Sequence, residues 1–332
     1  MSAWPKAVAD GWHPIAASRQ VRGRPLSRRL MGKPLVVFRG DGGAAVFADR
    51  CPHRNMALSL GRVRDGQIEC PYHGWRFDVA GRCTLTPGAA QPASVAAERL
   101  PAVERAGLVW TTLARDPAPF PALPFPLEAE GFDTFLWPVR ASRAPLVDAI
   151  ENLLDPAHPH FLHAGIVRSA TVRRPVEVTV RVGPGLAEAI YVENARAAAW
   201  MPRMLEGKRA RSVGRYLPPT IGQIAFEADT GPRLVVTVYF TPEASDLVRP
   251  FAHFATPRGR VPAFMKEAAL RLFNAPVLAQ DSAALARQSA SIEPFGAPRY
   301  AQGPLDFLRP AIQALADGDA PPATETTVVV QL

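Results

Sequence analysis

Two short boxes, Cys51-Pro52-His53 and Cys70-Pro71-Tyr72-His73, constrain this chain more than any other feature. Each offers one thiol and one imidazole, so the fold must bring two mixed pairs together if they are to share a metal. Tetrahedral zinc accepts two sulfurs and two nitrogens, yet common zinc fingers put two cysteines in one box and two histidines in the other. Mixed boxes suit a two-iron centre better. There, two cysteines hold one iron and two histidines the other, so each box supplies one ligand to each metal. The prolines and Gly74 beside the ligands fit tight turns at two neighbouring loop tips.

Length and composition frame these boxes. The chain's 332 residues leave room for about two domains. With 48% apolar and 20% charged residues, long disorder, collagen and coiled-coil rods are disfavoured. Three cysteines, Cys51, Cys70 and Cys83, are too few for a disulfide framework, and Cys83 has no partner box. A net charge of +8 admits nucleic acid, an anionic substrate or an acidic protein partner. Without a recognition motif, nucleic-acid binding has little support. No run approaches the roughly 18 apolar residues that span a bilayer, and the first thirty residues lack a signal's apolar stretch. A cytoplasmic chain with no membrane partner is therefore expected.

Short β-like runs separated by turn residues fill Leu35 to Trp110. Gly40-Asp41-Gly42-Gly43 reads as a hairpin turn, with Asp65-Gly66 and Ala80-Gly81 as further turns. Residues 40–45 also fit G-x-G-x-x-A, but they open no helix, so nicotinamide binding belongs to another polypeptide. Five prolines between Arg115 and Pro126 stiffen the chain into an extended connection. The expected division is an all-β domain over 1–115, a linker over 116–126 and a second domain over 127–332. In that second domain a helix is expected from Pro145 to Asp155, and six strands between Val176 and Ala255. One or two helices from Val261 to Ile292, interrupted at Pro276, should cover the sheet. A short helix from Leu305 to Ala316 should precede a polar tail.

The second chemical cluster runs from Asn152 to His163 and holds Asp155, His158, His160 and His163. His158 and His163, five apart, diverge by about 140° on an ideal helix, so a straight helix cannot aim both at one metal. Pro156 and Pro159 bend the chain between them. Two imidazoles and a carboxylate on one face of an iron leave positions open for dioxygen.

Together these motifs resemble the Rieske non-haem iron oxygenases, and the likeness to their large oxygenase subunit covers most of the chain. Respiratory Rieske proteins carry an extra cysteine in each box, where Met56 and Tyr72 stand here, and a hydroxyl residue where Trp75 stands. Fewer donors to the sulfurs place the expected cluster near the low end of Rieske potentials. The resemblance implies that Cys51, His53, Cys70 and His73 bind a [2Fe–2S] cluster. Asn152, Asp155, His158 and His163 fit the family's N-x-x-D-x-x-H-x-x-x-x-H pattern, which implies His158 and His163 as ligands of Fe(II). Asp155 would join His158 to His73 of a neighbouring subunit, with Asn152 close behind the ligands. His160 lies outside the pattern. Asp281 resembles the third ligand in a late E-D-x-x-x-x-E-x-Q segment, although Gln280 and Ala286 replace its glutamates.

The implied fold is α+β: an all-β Rieske domain followed by a helix-grip catalytic domain, an antiparallel sheet covered by helices. The implied activity is that of a terminal oxygenase, which uses O₂ and electrons from NAD(P)H, passed through a ferredoxin or flavin reductase, to hydroxylate a small organic substrate. A single chain with Asn152 looks like the monooxygenating and demethylating branch. Ring cis-dihydroxylation and a non-catalytic electron carrier are the alternatives. A head-to-tail homotrimer is implied as well. Candidate substrate contacts are His253, which follows Thr241-Pro242-Glu243, with Ile166, Trp200 and Tyr239; Val167, Met204, Phe226 and Phe254 are further apolar candidates.

Overall fold

In the computed structural model, residues 4–168, 171, 173–192 and 210–332 are described. After a short helix α1 (Lys6–Ala9), the N-terminal part holds eleven strands. They are β1 (His13–Ala17), β2 (Leu26–Leu30), β3 (Lys33–Gly40), β4 (Gly43–Ala48), β5 (Arg62–Arg64), β6 (Gln67–Glu69), β7 (Arg76–Phe77), β8 (Cys83–Leu85), β9 (Arg99–Leu100), β10 (Ala102–Arg105) and β11 (Leu108–Thr111). They form three small sheets ordered β1-β11-β10, β2-β3-β4-β9 and β5-β6-β7-β8. The β3–β4 hairpin turns at Asp41-Gly42, with Gly40 opposite Gly43. Gly40 is required there, since a Cβ would lie 2.5 Å from the Gly66 carbonyl and 2.2 Å from Val79. That close approach locks the hairpin onto the β5–β6 turn. Between these sheets Val36, Phe38, Phe47, Ile68 and Phe77 pack into one apolar cluster that also includes Cys51 and Cys70.

The C-terminal part is built on β12 (Phe132–Pro138), β13 (Ser142–Arg143), β14 (Pro175–Gly183), β15 (Leu186–Val192), β16 (Arg211–Leu217), β17 (Ile221–Ala228), β18 (Gly231–Ala244), β19 (Leu247–Pro257) and β20 (Thr324–Gln331). The antiparallel order is β12-β19-β18-β17-β16-β15-β14-β20, with β13 also on β19. Helices α2 (Leu146–Leu154), α3 (Ala263–Ile292) and α4 (Arg309–Asp317) cover one face. Ile150, Leu154, Leu270, Leu285, Ile312 and Leu315 bury that face against Tyr216, Val238 and Phe254. The opposite face meets the N-terminal part through Tyr239 and Phe251, packed on Leu108 and Trp110. Backbone bonds from Met31 N–H to Pro242 O (2.7 Å) and Gly32 N–H to Glu243 O (2.9 Å) stitch the same seam.

Four expectations are corrected. The supposed polar tail is strand β20, paired with β14 over eight positions from Pro175–Gln331 to Val182–Thr324. Helix α3 runs unbroken through Pro276, so losing one backbone donor does not end it. The last helix begins at Arg309, with Pro310 in its first turn, rather than at Leu305. The sheet also exceeds the six expected strands, since β12, β13 and β20 join it.

Candidate active site

The two Cys/His boxes fold into two separate loops of the same form. In the first, Asn55 N–H donates to Cys51 O (2.9 Å) and Cys51 N–H to Met56 O (2.8 Å). In the second, Gly74 N–H donates to Cys70 O (3.0 Å) and Cys70 N–H to Trp75 O (2.8 Å). Each loop reverses on a left-handed residue, Asn55 at φ 63° and Gly74 at φ 71°. Asparagine and glycine are the residues that tolerate this conformation at least cost.

This geometry sorts the donors by depth. Cys51 and Cys70 are buried in the apolar cluster, 1% and 2% exposed, and neither is disulfide-bonded. His53 and His73 sit towards solvent, with ring centroids 4.6 Å apart. Burial, reinforced by the neighbouring Cys70, pushes the Cys51 thiol up to about 11. A pair of thiols behind a pair of imidazoles is the donor set a [2Fe–2S] cluster of Rieske type needs. The residues fit that group. The Trp75 indole stacks on His53, centroids 4.3 Å apart and planes within 6°.

The second site begins where α2 ends. Asp155 terminates that helix and turns the chain, accepting from Ala157 N–H (2.7 Å) and His158 N–H (3.2 Å). A single 3₁₀ turn over His158–His160 follows. The bend brings the His158 and His163 rings to 5.1 Å, nearly perpendicular at 79°. Asp281 enters from α3, 118 residues beyond His163. Its Oδ1 lies 3.0 Å from His163 Nε2 and 3.6 Å from His158 Nε2.

All three donors lie within 4.8 Å of one another, a fit to one divalent ion with two imidazoles and a carboxylate. Each histidine presents Nε2 to this centre, and His163 is also held at Nδ1. His163 Nδ1–H donates to Gln280 Oε1 at 2.7 Å, and His158 Nδ1 lies 3.4 Å from Asp155 Oδ2, longer than a hydrogen bond. Burial disfavours a charged His163, but Asp281 and Gln280 outweigh it and raise the ring above its ordinary value. Burial likewise opposes ionisation of Asp155, yet the His158 ring and the Ala157 N–H hold its carboxyl below the usual range.

A cavity of about 220 Å³ adjoins these donors. Ile224, Phe226, Leu234, Val236 and Phe254 line it from the sheet, and Asn152 from α2. From α3 come Phe273, Asn274, Val277, Leu278 and Asp281, the spacing of one helix face. Val167, Phe226 and Phe254 thus line this cavity. His253 and Tyr239 do not, which corrects their assignment: strand alternation turns Val238, Ala252 and Phe254 into the cavity and the intervening residues away. His253 Nε2–H donates to Ala106 O (3.1 Å) and Tyr239 packs on Trp110, both at the seam with the N-terminal part.

Val167 rather than Ile166 lines the cavity. Trp200 and Met204 lie outside the described residues. His160 is buried and bonded to Arg173 through Nδ1 (2.9 Å), away from the three donors. Sequence reasoning missed the contacts of Gln280 and Asn274. For Asn274, the offset of seven residues that puts it on the Asp281 face of the helix was the available signal.

Residues 11–103 match the Rieske [2Fe-2S] domain family, and residues 142–314 the vanillate O-demethylase oxygenase C-terminal domain family. The oxygenase component of dicamba O-demethylase from Stenotrophomonas maltophilia is 31% identical over 211 residues, covering 60% of each chain. The oxygenase component of chloroacetanilide N-alkylformylase from Rhizorhabdus wittichii is 34% identical over 180 residues, 51% of this chain and 50% of its own. The match therefore spans only 50% to 60% of these relatives' lengths. A crystal structure of dicamba monooxygenase bound to dicamba shares the fold, with a TM-score of 0.79 at 23% identity over 94% of this chain and 97% of that one.

Proposed function

The chain belongs to the Rieske oxygenase family with a vanillate O-demethylase-type catalytic domain, and on that premise we propose that it is the terminal oxygenase of a multicomponent system that hydroxylates a small, largely apolar substrate. The reaction is substrate C–H + O₂ + 2 e⁻ + 2 H⁺ → substrate C–OH + H₂O. On a methyl carried by oxygen or nitrogen, the hydroxylated product releases formaldehyde, which is demethylation. The observation that carries this reading is the convergence of His158, His163 and Asp281 within 4.8 Å beside an apolar cavity.

When bound, a [2Fe–2S] cluster supplies single electrons and Fe(II) supplies oxygen activation. The chain does the rest. Cys51, Cys70, His53 and His73 hold the cluster; His158, His163 and Asp281 hold the iron. Gln280 fixes the His163 tautomer by accepting its Nδ1–H, while Asp155 sets the turn that presents His158 by accepting the Ala157 and His158 N–H groups. Phe226, Phe254 and Phe273 exclude water and favour a flat, apolar substrate, while Asn152 and Asn274 are polar groups able to orient it.

Electrons come from NAD(P)H only indirectly, through a ferredoxin or flavin reductase. Exposed Arg50, Arg54, Arg62 and Arg64 around the cluster loops favour an acidic donor protein. The reading includes a head-to-tail homotrimer in which Asp155 meets His73 of the partner subunit, and a cytoplasmic location. No described helix is long and apolar enough to cross a membrane.

Iron analysis and isotope labelling test the proposal. Anaerobically purified chain should hold about three irons, two in the cluster and one at the triad. About two would leave an electron carrier, and zinc would reject the reading. With ¹⁸O₂, one labelled oxygen should enter the product; two in one product would mean dihydroxylation.

A further inference from the structure

The two loops that carry the thiols and imidazoles come from different connections, β4 to β5 and β6 to β7, and no disulfide joins them. Within each loop the backbone closes on itself. Between the loops, the described ring contacts are His53 with His73 and His53 with Trp75. Trp75 is the one partner in these contacts that is not itself a donor to the cluster.

We propose that Trp75 is the positioning residue of the cluster site, bracing one ligand loop with its backbone while its indole fixes the ligand ring of the other. Its carbonyl accepts Cys70 N–H at 2.8 Å, which anchors its own backbone in the second loop. Gly74, at φ 71°, reverses the chain just before it. The indole lies on the His53 imidazole at 4.3 Å and 6°. A histidine ring at a partly exposed loop tip otherwise turns over a broad, two-fold torsional range, whereas a metal ligand must hold one plane. The stack removes that freedom and covers one ring face from water, as partners outside the ligand set do at other metal sites.

The inference rests on the cluster reading above, and its test separates the two. Trp75→Leu removes the aromatic face; Trp75→Phe keeps a smaller one and guards against a variant that fails to fold. Cluster release to a chelator is followed by loss of visible absorbance, with the EPR g values of the reduced cluster measured in parallel. Trp75→Leu should release the cluster about tenfold faster with shifted, broadened g values, and Trp75→Phe should fall between it and the wild type. In iron-free protein, the His53 ring protons should lose their upfield ring-current shift in Trp75→Leu. Wild-type release rates and g values in folded Trp75→Leu, or Phe and Leu variants that are equally impaired, overturn the role. A colourless wild-type protein overturns the cluster reading and this inference with it.

Discussion

The donors of the N-terminal site all lie between Cys51 and His73, on two loops whose hydrogen bonds repeat position for position, whereas Asp281 reaches the C-terminal site from 118 residues beyond His163. Local turn chemistry builds the first site. Tertiary packing completes the second, since α3 must lie correctly over the sheet before its carboxylate meets the two imidazoles. The two sites should therefore fail differently when single residues change.

The largest effect is expected at the ligands. Asp281→Ala should remove about one iron per chain and lower product formation more than about a hundredfold, while the visible cluster spectrum persists. Cys70→Ser should do the reverse, bleaching the protein, and should also lower stability because residue 70 is buried in the core. Iron counts and spectra on both variants check this. If Asp281→Ala also bleached the cluster, the separation between local and tertiary construction would not hold.

The same difference decides what was legible from the chain. Both boxes are local, so their four donors follow from residue type and spacing, and the prolines around His158 announce the bend. Asp281 came into view only through a family pattern, because no local signal links position 281 to 163. Gln280 reads as a departure from that pattern, and the fold shows the use made of it, a 2.7 Å contact with His163. His253 and Tyr239 were misplaced because sequence shows alternation along a strand but not which parity faces the cavity. Strand β20 was missed for a related reason. An edge strand exposed along most of its length shows no apolar alternation, so Thr324 to Gln331 reads as a tail.

The seam between the two parts offers the next test. His13 and His253 are buried there, and each donates through Nε2–H to a carbonyl, Val8 O at 2.8 Å and Ala106 O at 3.1 Å. Burial, only partly offset by those carbonyls, lowers both to about 4, against 6.5 for a free histidine. A depressed histidine means the unfolded chain binds protons first. Stability is thus fully present above pH 6.5, declines as pH falls towards 4, and levels off below. By pH 5 each histidine should cost about 2 kcal/mol. Denaturant midpoints between pH 6.5 and 5, where few carboxylates titrate, measure the slope, and His253→Gln should remove about half of it. An unchanged slope would place the acid sensitivity elsewhere.

Changing what lies behind the ligands sharpens the contrast further. Gln280→Leu leaves the triad intact but strips the acceptor from His163 Nδ1, and iron affinity at that site should fall about tenfold. Metal titration of the iron-free protein reads this directly. The cluster, held by an independent set of loops, should load as in the wild type. A Gln280→Leu protein that binds iron normally would mean that packing alone orients the His163 ring.

The smallest effect concerns the two residues that reverse the cluster loops. Gly74 at φ 71° has no side chain, and a Cβ there would lie 3.1 Å from Pro87 Cγ, so Gly74→Ala meets both backbone strain and a tight contact. About 1 kcal/mol should be lost from the stability of the iron-free protein. Asn55 occupies the matching position at φ 63° in the other loop. Asparagine tolerates that conformation and glycine tolerates it better, so Asn55→Gly relieves backbone strain. It also removes the side chain whose oxygen accepts from Arg50 Nε at 2.6 Å, an exposed bond of small net worth. The two changes should therefore shift unfolding midpoints unequally, Gly74→Ala clearly downwards and Asn55→Gly hardly at all. Equal losses would show that side-chain contacts of the loops, rather than their shared backbone turn, set the geometry of the thiols and imidazoles.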